Sequence, residues 1–257
     1  LAVGQKVGIG WSSGSCGVCE WCQTGNNNLC LSNIPTVLGP HGGFADLVRA
    51  QSEWVFPLPD ALDPAMAGPL MCGGITVFSP LLEFDIKPIH RVGVIGIGGL
   101  GHLALQFLHA WGCEITAFSH NDEKKADALK FGAHHFVNSS DCNVLSKYIN
   151  TFDFILSTVY VPLDWNAFIT TLRPKGKLIF VGVVLEPANL GIFPIGMGEK
   201  IISGSNTGSP HTMATMLNFA ARHNISPKTE TFKMTQVNEA IVKLKQGKVR
   251  YRAVLAN

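Results

Sequence analysis

Charge is what this sequence has least of. Only 15% of its 257 residues are Asp, Glu, Lys or Arg, and the 20 basic residues nearly cancel the 18 acidic ones. No basic block occurs anywhere, and a protein built to neutralise a row of phosphates would carry one. Nucleic acid is therefore not expected as a main partner. Disorder is excluded as well, because 46% of the residues are hydrophobic. A secretory leader is not visible at Leu1-Ala2-Val3-Gly4-Gln5-Lys6, which lacks a basic region followed by an apolar run. The first residue is also not Met, which raises the expectation that something upstream is missing.

A membrane span is the next class to weigh. The 22 residues from Val92 to Cys113 contain no Asp, Glu, Lys or Arg, and that length crosses a bilayer. The same stretch holds six glycines, His102, His109 and Gln106. Four of the glycines crowd into Gly96-Ile97-Gly98-Gly99-Leu100-Gly101. A buried strand, a turn and a core helix account for it better, so no membrane partner is expected.

Seven cysteines are present, and Cys16, Cys19, Cys22 and Cys30 fall within 15 residues while Cys72, Cys113 and Cys142 stand alone. A disulfide framework spaces its cysteines through a short secreted chain. The cluster points instead to a metal in a reducing compartment, with the cytoplasm as the default. Cys-x2-Cys-x2-Cys-x7-Cys puts four soft ligands on one loop, as tetrahedral zinc requires. Bacterial ferredoxins open similarly, but their fourth cysteine comes three residues later and precedes Pro; here it is seven later and precedes Leu31. Four protein ligands leave no open position, so this zinc would be structural.

Along the chain, the first ninety residues are turn-rich with short strands expected at Gln5–Trp11, Gly43–Val48 and Trp54–Pro57. From Arg91 the pattern becomes strand–helix alternation. Strands are expected at Val92–Ile95, Ile115–Phe118, His135–Val137, Phe154–Ser157, Leu178–Val181 and Ile201–Gly204. Helices are expected at Leu100–Trp111, Glu123–Phe131 (capped by Asn121 or Asp122), Val144–Asn150 and Leu163–Leu172. Ser209-Pro210 reads as a cap and first position of a helix to about Arg222, followed by a helix at Val237–Lys245 and a strand at Tyr251–Leu255. Such alternation argues for an α/β domain with a parallel sheet covered on both faces.

Gly96-x-Gly98-Gly99-x-Gly101 follows a strand and opens a helix, the context of a dinucleotide fingerprint. The pyrophosphate would sit at the helix N-terminus, where N–H groups and the dipole favour anions. NAD enzymes place Asp or Glu after the second strand. Here that position is Ser119, followed by His120, Asn121, Asp122, Glu123, Lys124 and Lys125. A serine donor and Lys124 favour the 2′-phosphate of NADP(H), although Lys124 and Lys125 also suit the solvated start of a helix and Asp122 opposes them.

Together these features resemble the zinc-dependent medium-chain alcohol dehydrogenases, in particular the cinnamyl-alcohol-dehydrogenase-like enzymes and bacterial aldehyde reductases. The matching stretches are Gly14–Cys22, Gly42–Asp46, Gly68–Pro80, Val94–His102 and Arg250-Tyr251-Arg252. The resemblance implies a Rossmann doubly wound parallel-sheet domain over 73–210. A β-rich, GroES-like catalytic domain, incomplete at its N-terminus, would occupy 1–72 with a return at 211–257. It implies that Cys72 is one ligand of a catalytic zinc and that Thr76 lies beside the nicotinamide. Gly96, Gly98, Gly99, Leu100 and Gly101 would bind the pyrophosphate; Ser119, His120, Asn121 and Lys124 would surround the 2′-phosphate. Thr158, Val159, Gly182 and Val183 would line the cofactor, with Ser205 and Asn206 near the nicotinamide amide and ribose.

The departure is at the front. The family's other two catalytic zinc ligands, one of them in a Gly-His-Glu motif, lie upstream of the cysteine loop, and no Gly-His-Glu occurs here. His41 is the only nearby histidine substitute, with a plainer place in a loop before a strand. His102 is expected to pack or cap, and His134 and His135 to sit at a strand edge. The implied reaction is hydride transfer between NADP(H) and an aldehyde/primary alcohol pair, in a cleft between two lobes of a homodimeric enzyme. A zinc-free reductase, or a non-catalytic NADP(H) sensor, is the alternative.

Overall fold

The computed structural model describes residues 1–38 and 42–257; His41 lies outside them. Two compact units emerge, one made of Leu1–Ser79 with Asn206–Asn257 and the other of Pro80–Ser205.

The Pro80–Ser205 unit is built on six parallel strands. Their spatial order is Ile201–Gly204, Leu172–Phe180, Phe152–Ser157, Arg91–Ile95, Glu114–Ser119 and His135–Asn138. Arg91–Ile95 therefore sits between the second strand in sequence and the fourth, and the chain reverses its direction of travel there. That is the topological switch point at which open α/β sheets bind ligands. Val92, Val94, Ile115 and Ala117 are fully buried, as expected of strands covered on both faces. One face packs Phe118, Phe152, Phe168, Ile155 and Leu178 together. Phe118 meets Phe168 and Phe152 edge-on at 5.5 and 5.6 Å, a favoured aromatic geometry. The Gly101–Trp111 helix buries Leu103 and Phe107 completely. Gly112, with φ +99°, ends that helix in the left-handed conformation that glycine adopts most easily.

Three expectations are corrected in this unit. The segment after Glu114–Ser119 starts as a 3-10 turn at Asp122–Lys124 and becomes α-helical only over Lys125–Lys130. Asn121 occupies the cap position without a side-chain capping bond. The stretch Cys142–Tyr148 is 3-10 rather than α, opened by the Asp141 carboxylate accepting from the Asn143 N–H.

The other unit pairs Val7–Ile9 with Val55–Pro57 and Ser12–Gly14 with Ile34–Pro35, both antiparallel. Its C-terminal part adds a parallel pair, Thr229–Lys233 with Arg252–Ala256. Gly43–Val48 forms no strand. The main surprise is a helical stretch over Pro64–Glu83, 20 residues that are apolar enough by composition to cross a membrane; 67% of its most apolar window is buried inside the protein. A core helix is the physical reading of that burial. Asp63 caps it by accepting from the Ala65 N–H, with Pro64 at the first position. Ser209 caps Pro210–Arg222 by accepting from the Thr212 N–H at 3.3 Å, as the sequence led one to expect.

Candidate functional site

Four sulfurs meet on the Cys16–Cys30 loop. Gly17, with φ +71°, turns the chain after Cys16, and Cys19 leads into a one-turn helix at Glu20–Gln23. Cys30 follows the Asn27–Leu29 turn and is buried. All four Sγ atoms lie within 4.8 Å of one another, with Cys16 at 3.5 Å from Cys30 and 4.0 Å from Cys22. Tetrahedral zinc with ~2.3 Å bonds sets its sulfurs about 3.8 Å apart, so the cage fits that ion. A disulfide, at about 2.05 Å, does not describe these spacings. Backbone N–H groups of Val18 and Cys19 pull the Cys16 thiol down to about 6. At Cys19 the Cys22 N–H pulls the same way, but desolvation and the neighbouring sulfurs outweigh it and push that thiol up to about 11. One proton therefore leaves this cluster readily and another is held, which a divalent cation would release.

Cys72 sits in a different local structure. Between Pro64–Pro69 and Ile75–Glu83 the helix widens into a π turn over Leu70–Gly74. There the Ile75 N–H reaches back five residues to the Leu70 carbonyl. π turns recur at functional sites. Leu70, Met71, Gly73 and Gly74 are buried while Cys72 is exposed. Thr76 donates its hydroxyl to the Cys72 carbonyl at 2.7 Å, so Thr76 holds the turn that presents Cys72. Arg252 is a neighbour that sequence reasoning matched without giving it a role. Burial lowers the pKa of its guanidinium, and the Cys72 sulfur opposes that shift. Among the described residues, the cysteine cage is the one group of three or more His, Cys, Asp or Glu side chains gathered closely enough to share a metal. Cys72 has no such group around it.

The nucleotide candidates of the sheet unit collect at the carboxyl ends of its strands. Gly96, with φ +86°, leaves the first strand, and a Cβ there would come within 2.6 Å of Val159 Cγ1. A Cβ on Gly101 would stand 1.9 Å from the Gly96 carbonyl oxygen, whereas one on Gly98 would meet nothing within 4 Å. Two glycines are thus required by the protein's own packing, and the third faces open space, the room a bound phosphate needs. Leu100 takes the helix cap position without a side-chain capping bond. Thr158 Oγ1 lies 2.9 Å from the Ile95 carbonyl and 2.8 Å from that of Gly96, tying the fourth strand's end to the turn. Gly182 approaches Val159 so closely that a Cβ would stand 2.0 Å from its carbonyl oxygen, while Val183 is exposed.

Ser119 ends the second strand with its hydroxyl buried and unbonded, and Asn121 Oδ1 is likewise without a partner. His120 is exposed and lies 3.3 Å from the Asn121 amide; Lys124 is half-buried in the following turn. Beyond the last strand, Ser205 donates to Glu83 at 3.0 Å, and the Asn206 side chain accepts from the Thr207 N–H. Glu83 was not singled out by sequence reasoning and carries no motif that would have marked it. The opposite, amino-terminal edge of the sheet holds a 570 Å³ cavity lined by Asp153, Arg173, Lys175 and Glu199. Arg173 pairs there with Asp153 at 2.6 Å and Lys175 with Glu199 at 2.9 Å, while Lys177 donates to the Phe84 carbonyl.

The chain matches an alcohol dehydrogenase GroES-like domain over residues 1–60 and the zinc-binding dehydrogenase family over 99–222. It is 52% identical over all of its length to aldehyde reductase AdhA of Synechocystis sp., of which it covers 76%. The chain belongs to the zinc-type medium-chain alcohol dehydrogenases. Two solved structures of cinnamyl alcohol dehydrogenases are similar to this alcohol dehydrogenase. That from Sorghum bicolor matches at TM-score 0.94 with 33% identity, over 99% of this chain and 75% of that one. That from Helicobacter pylori, described as complexed with NADP(H), matches at TM-score 0.89 with 29% identity, over 99% and 76%. The family's GroES-like and Rossmann-like parts correspond to the two architectures above, and its members are oxidoreductases.

Proposed function

We propose that this alcohol dehydrogenase transfers hydride between NADP(H) and an aldehyde/primary alcohol pair, and that it does so as a homodimer carrying structural and catalytic zinc. The observation that carries the cofactor choice is Ser119. A hydroxyl buried without a partner costs stability, and its position at the end of the second strand is where the ribose is recognised. A serine donor there suits a 2′-phosphate; a carboxylate would suit a ribose hydroxyl. His120, Asn121 and Lys124 complete that end. Gly96, Gly98, Gly99, Leu100 and Gly101 take the pyrophosphate on the helix N-terminus. Thr158, Val159, Gly182, Val183, Ser205 and Asn206 follow the nucleotide toward its nicotinamide.

Cys16, Cys19, Cys22 and Cys30 hold the structural zinc, and Cys72 would be one ligand of the catalytic one. Thr76 fixes the Cys72 turn and, by the resemblance, is the residue that would face a bound nicotinamide. Bound, zinc would polarise the carbonyl oxygen and the nucleotide would supply the hydride. The aldehyde substrate class rests on the likeness to an aldehyde reductase. A second copy of the chain would dock on the edge strand Ile201–Gly204 of the sheet unit, whose Val183, Ile192, Phe193 and Met197 are exposed. A cytoplasmic location suits the six described cysteines, all of them free thiols.

The test is zinc content per chain of the protein expressed from its full gene, together with turnover of an aldehyde by NADPH and by NADH. Two zinc ions and preference for NADPH are the expected outcome. One zinc ion would leave only the cysteine cage metallated and would overturn the zinc-polarised carbonyl.

A further inference from the structure

We infer that His102 is a positioning residue for the glycine turn: its imidazole pins the Gly98 carbonyl and so aims the Gly98–Gly99 peptide at the dinucleotide pyrophosphate. The inference rests on the reading that this turn binds a dinucleotide, and adds to it a residue outside the glycine pattern.

His102 Nδ1 lies 2.9 Å from the Gly98 carbonyl oxygen. A carbonyl oxygen only accepts, so Nδ1 carries a proton and donates it. The backbone N–H of the same residue also donates to that oxygen, at 3.1 Å. One residue thus grips one carbonyl twice. The ring has little freedom to let go, because His102 is fully buried and lies edge-on to Phe131 at 5.4 Å. Its own carbonyl accepts from the Gln106 amide at 3.2 Å.

The peptide between Gly98 and Gly99 is trans, as are all described bonds but Arg250–Tyr251. In a trans peptide the N–H points opposite to the C=O. Drawing the Gly98 oxygen into the first helical turn therefore turns the Gly99 N–H out of the helix end, toward where an anion is favoured. Glycines on both sides of this bond leave it with little intrinsic preference of orientation. The open space beside Gly98 means that its own packing does not fix it either. A leucine or phenylalanine would fill the His102 position without a polar atom to satisfy, but neither could bond the Gly98 carbonyl as the imidazole does.

Three variants of the protein expressed from its full gene test this. The Asn amide nitrogen stands where Nδ1 stands, the Gln amide nitrogen stands nearer Nε2, and Leu donates nothing. NADPH binding is followed by its fluorescence, adenosine 2′-monophosphate by competition, and folding by Tm. His102→Asn is expected to bind NADPH within about threefold of the wild type. His102→Gln and His102→Leu are expected to bind it about tenfold more weakly, with kcat at saturating NADPH unchanged. Adenosine 2′-monophosphate has no pyrophosphate, and its affinity should stay within about twofold in all three. Equal NADPH binding by the Asn and Gln variants overturns the inference, and so does equal weakening of both ligands. The Asn and Gln pair decides if the Leu variant does not fold. A wild type that binds neither ligand overturns the cofactor reading itself, which is a distinct result from wild-type binding that the variants fail to change.

Discussion

Ser119 and Gly101 show what single atoms decide in this protein. The Ser119 hydroxyl is buried with no bond, so Ser119→Ala removes a desolvated polar atom and should leave Tm unchanged or slightly higher. The same variant should weaken NADPH binding about tenfold while leaving NADH unaffected, as a titration with each nucleotide would report. A fall in Tm with unchanged discrimination would show that the hydroxyl serves the fold alone. Gly101→Ala drives a Cβ to 1.9 Å from the Gly96 carbonyl. Backbone must move, at a cost of roughly 1–3 kcal/mol, and dinucleotide binding should fall at least tenfold. At this scale the sequence was legible wherever a residue type implies its own geometry. The glycine spacing, the cysteine spacing and the serine after the second strand all do so. Glu83 escaped notice and Arg252 was matched without a role, because a charged side chain means nothing until its neighbour is known, and Ser205 and Cys72 are distant in sequence from them.

Among the elements, the clearest forecasts had a start signal. Ser209-Pro210 led to a helix whose cap bond is present, and Ser209→Ala should cost about 1 kcal/mol, measured as a shift in the denaturant midpoint. An unchanged midpoint would mean that Thr212, whose hydroxyl lies 3.1 Å from that of Ser209, takes over the cap. The helical stretch at Pro64–Glu83 was hidden for three reasons. It is apolar on all sides, it contains Pro69 and Pro80, and its π turn breaks the 3.6-residue period. Gly43–Val48 alternates like a strand, but a strand also needs an edge to pair with, and no such pairing exists among the described residues. The parallel sheet was legible because four- to six-residue apolar runs separated by helices leave few other solutions.

For the molecule as a whole, the edge strand Ile201–Gly204 and the exposed Phe193, at 78% of its full exposure, predict self-association. Phe193→Lys should shift the protein toward monomers in light scattering while leaving zinc content intact. A wild type that is already monomeric at micromolar concentration would exclude this surface as the interface. Chain connectivity adds a matter of timing. Leu1–Ser79 is completed by Asn206–Asn257, and the whole of Pro80–Ser205 is synthesised between them. At roughly 5–20 residues per second, that interval is on the order of ten seconds on the ribosome. The cysteine cage is local and can close on zinc early. The helix carrying Cys72 must wait longer, because Met66 takes its bond from Thr229 and Cys72 its charged neighbour from Arg252. The sheet unit can therefore be folded before the helix that carries Cys72 has its partners, so that a newly made chain can hold a finished parallel sheet while Met66 and Cys72 still wait for Thr229 and Arg252.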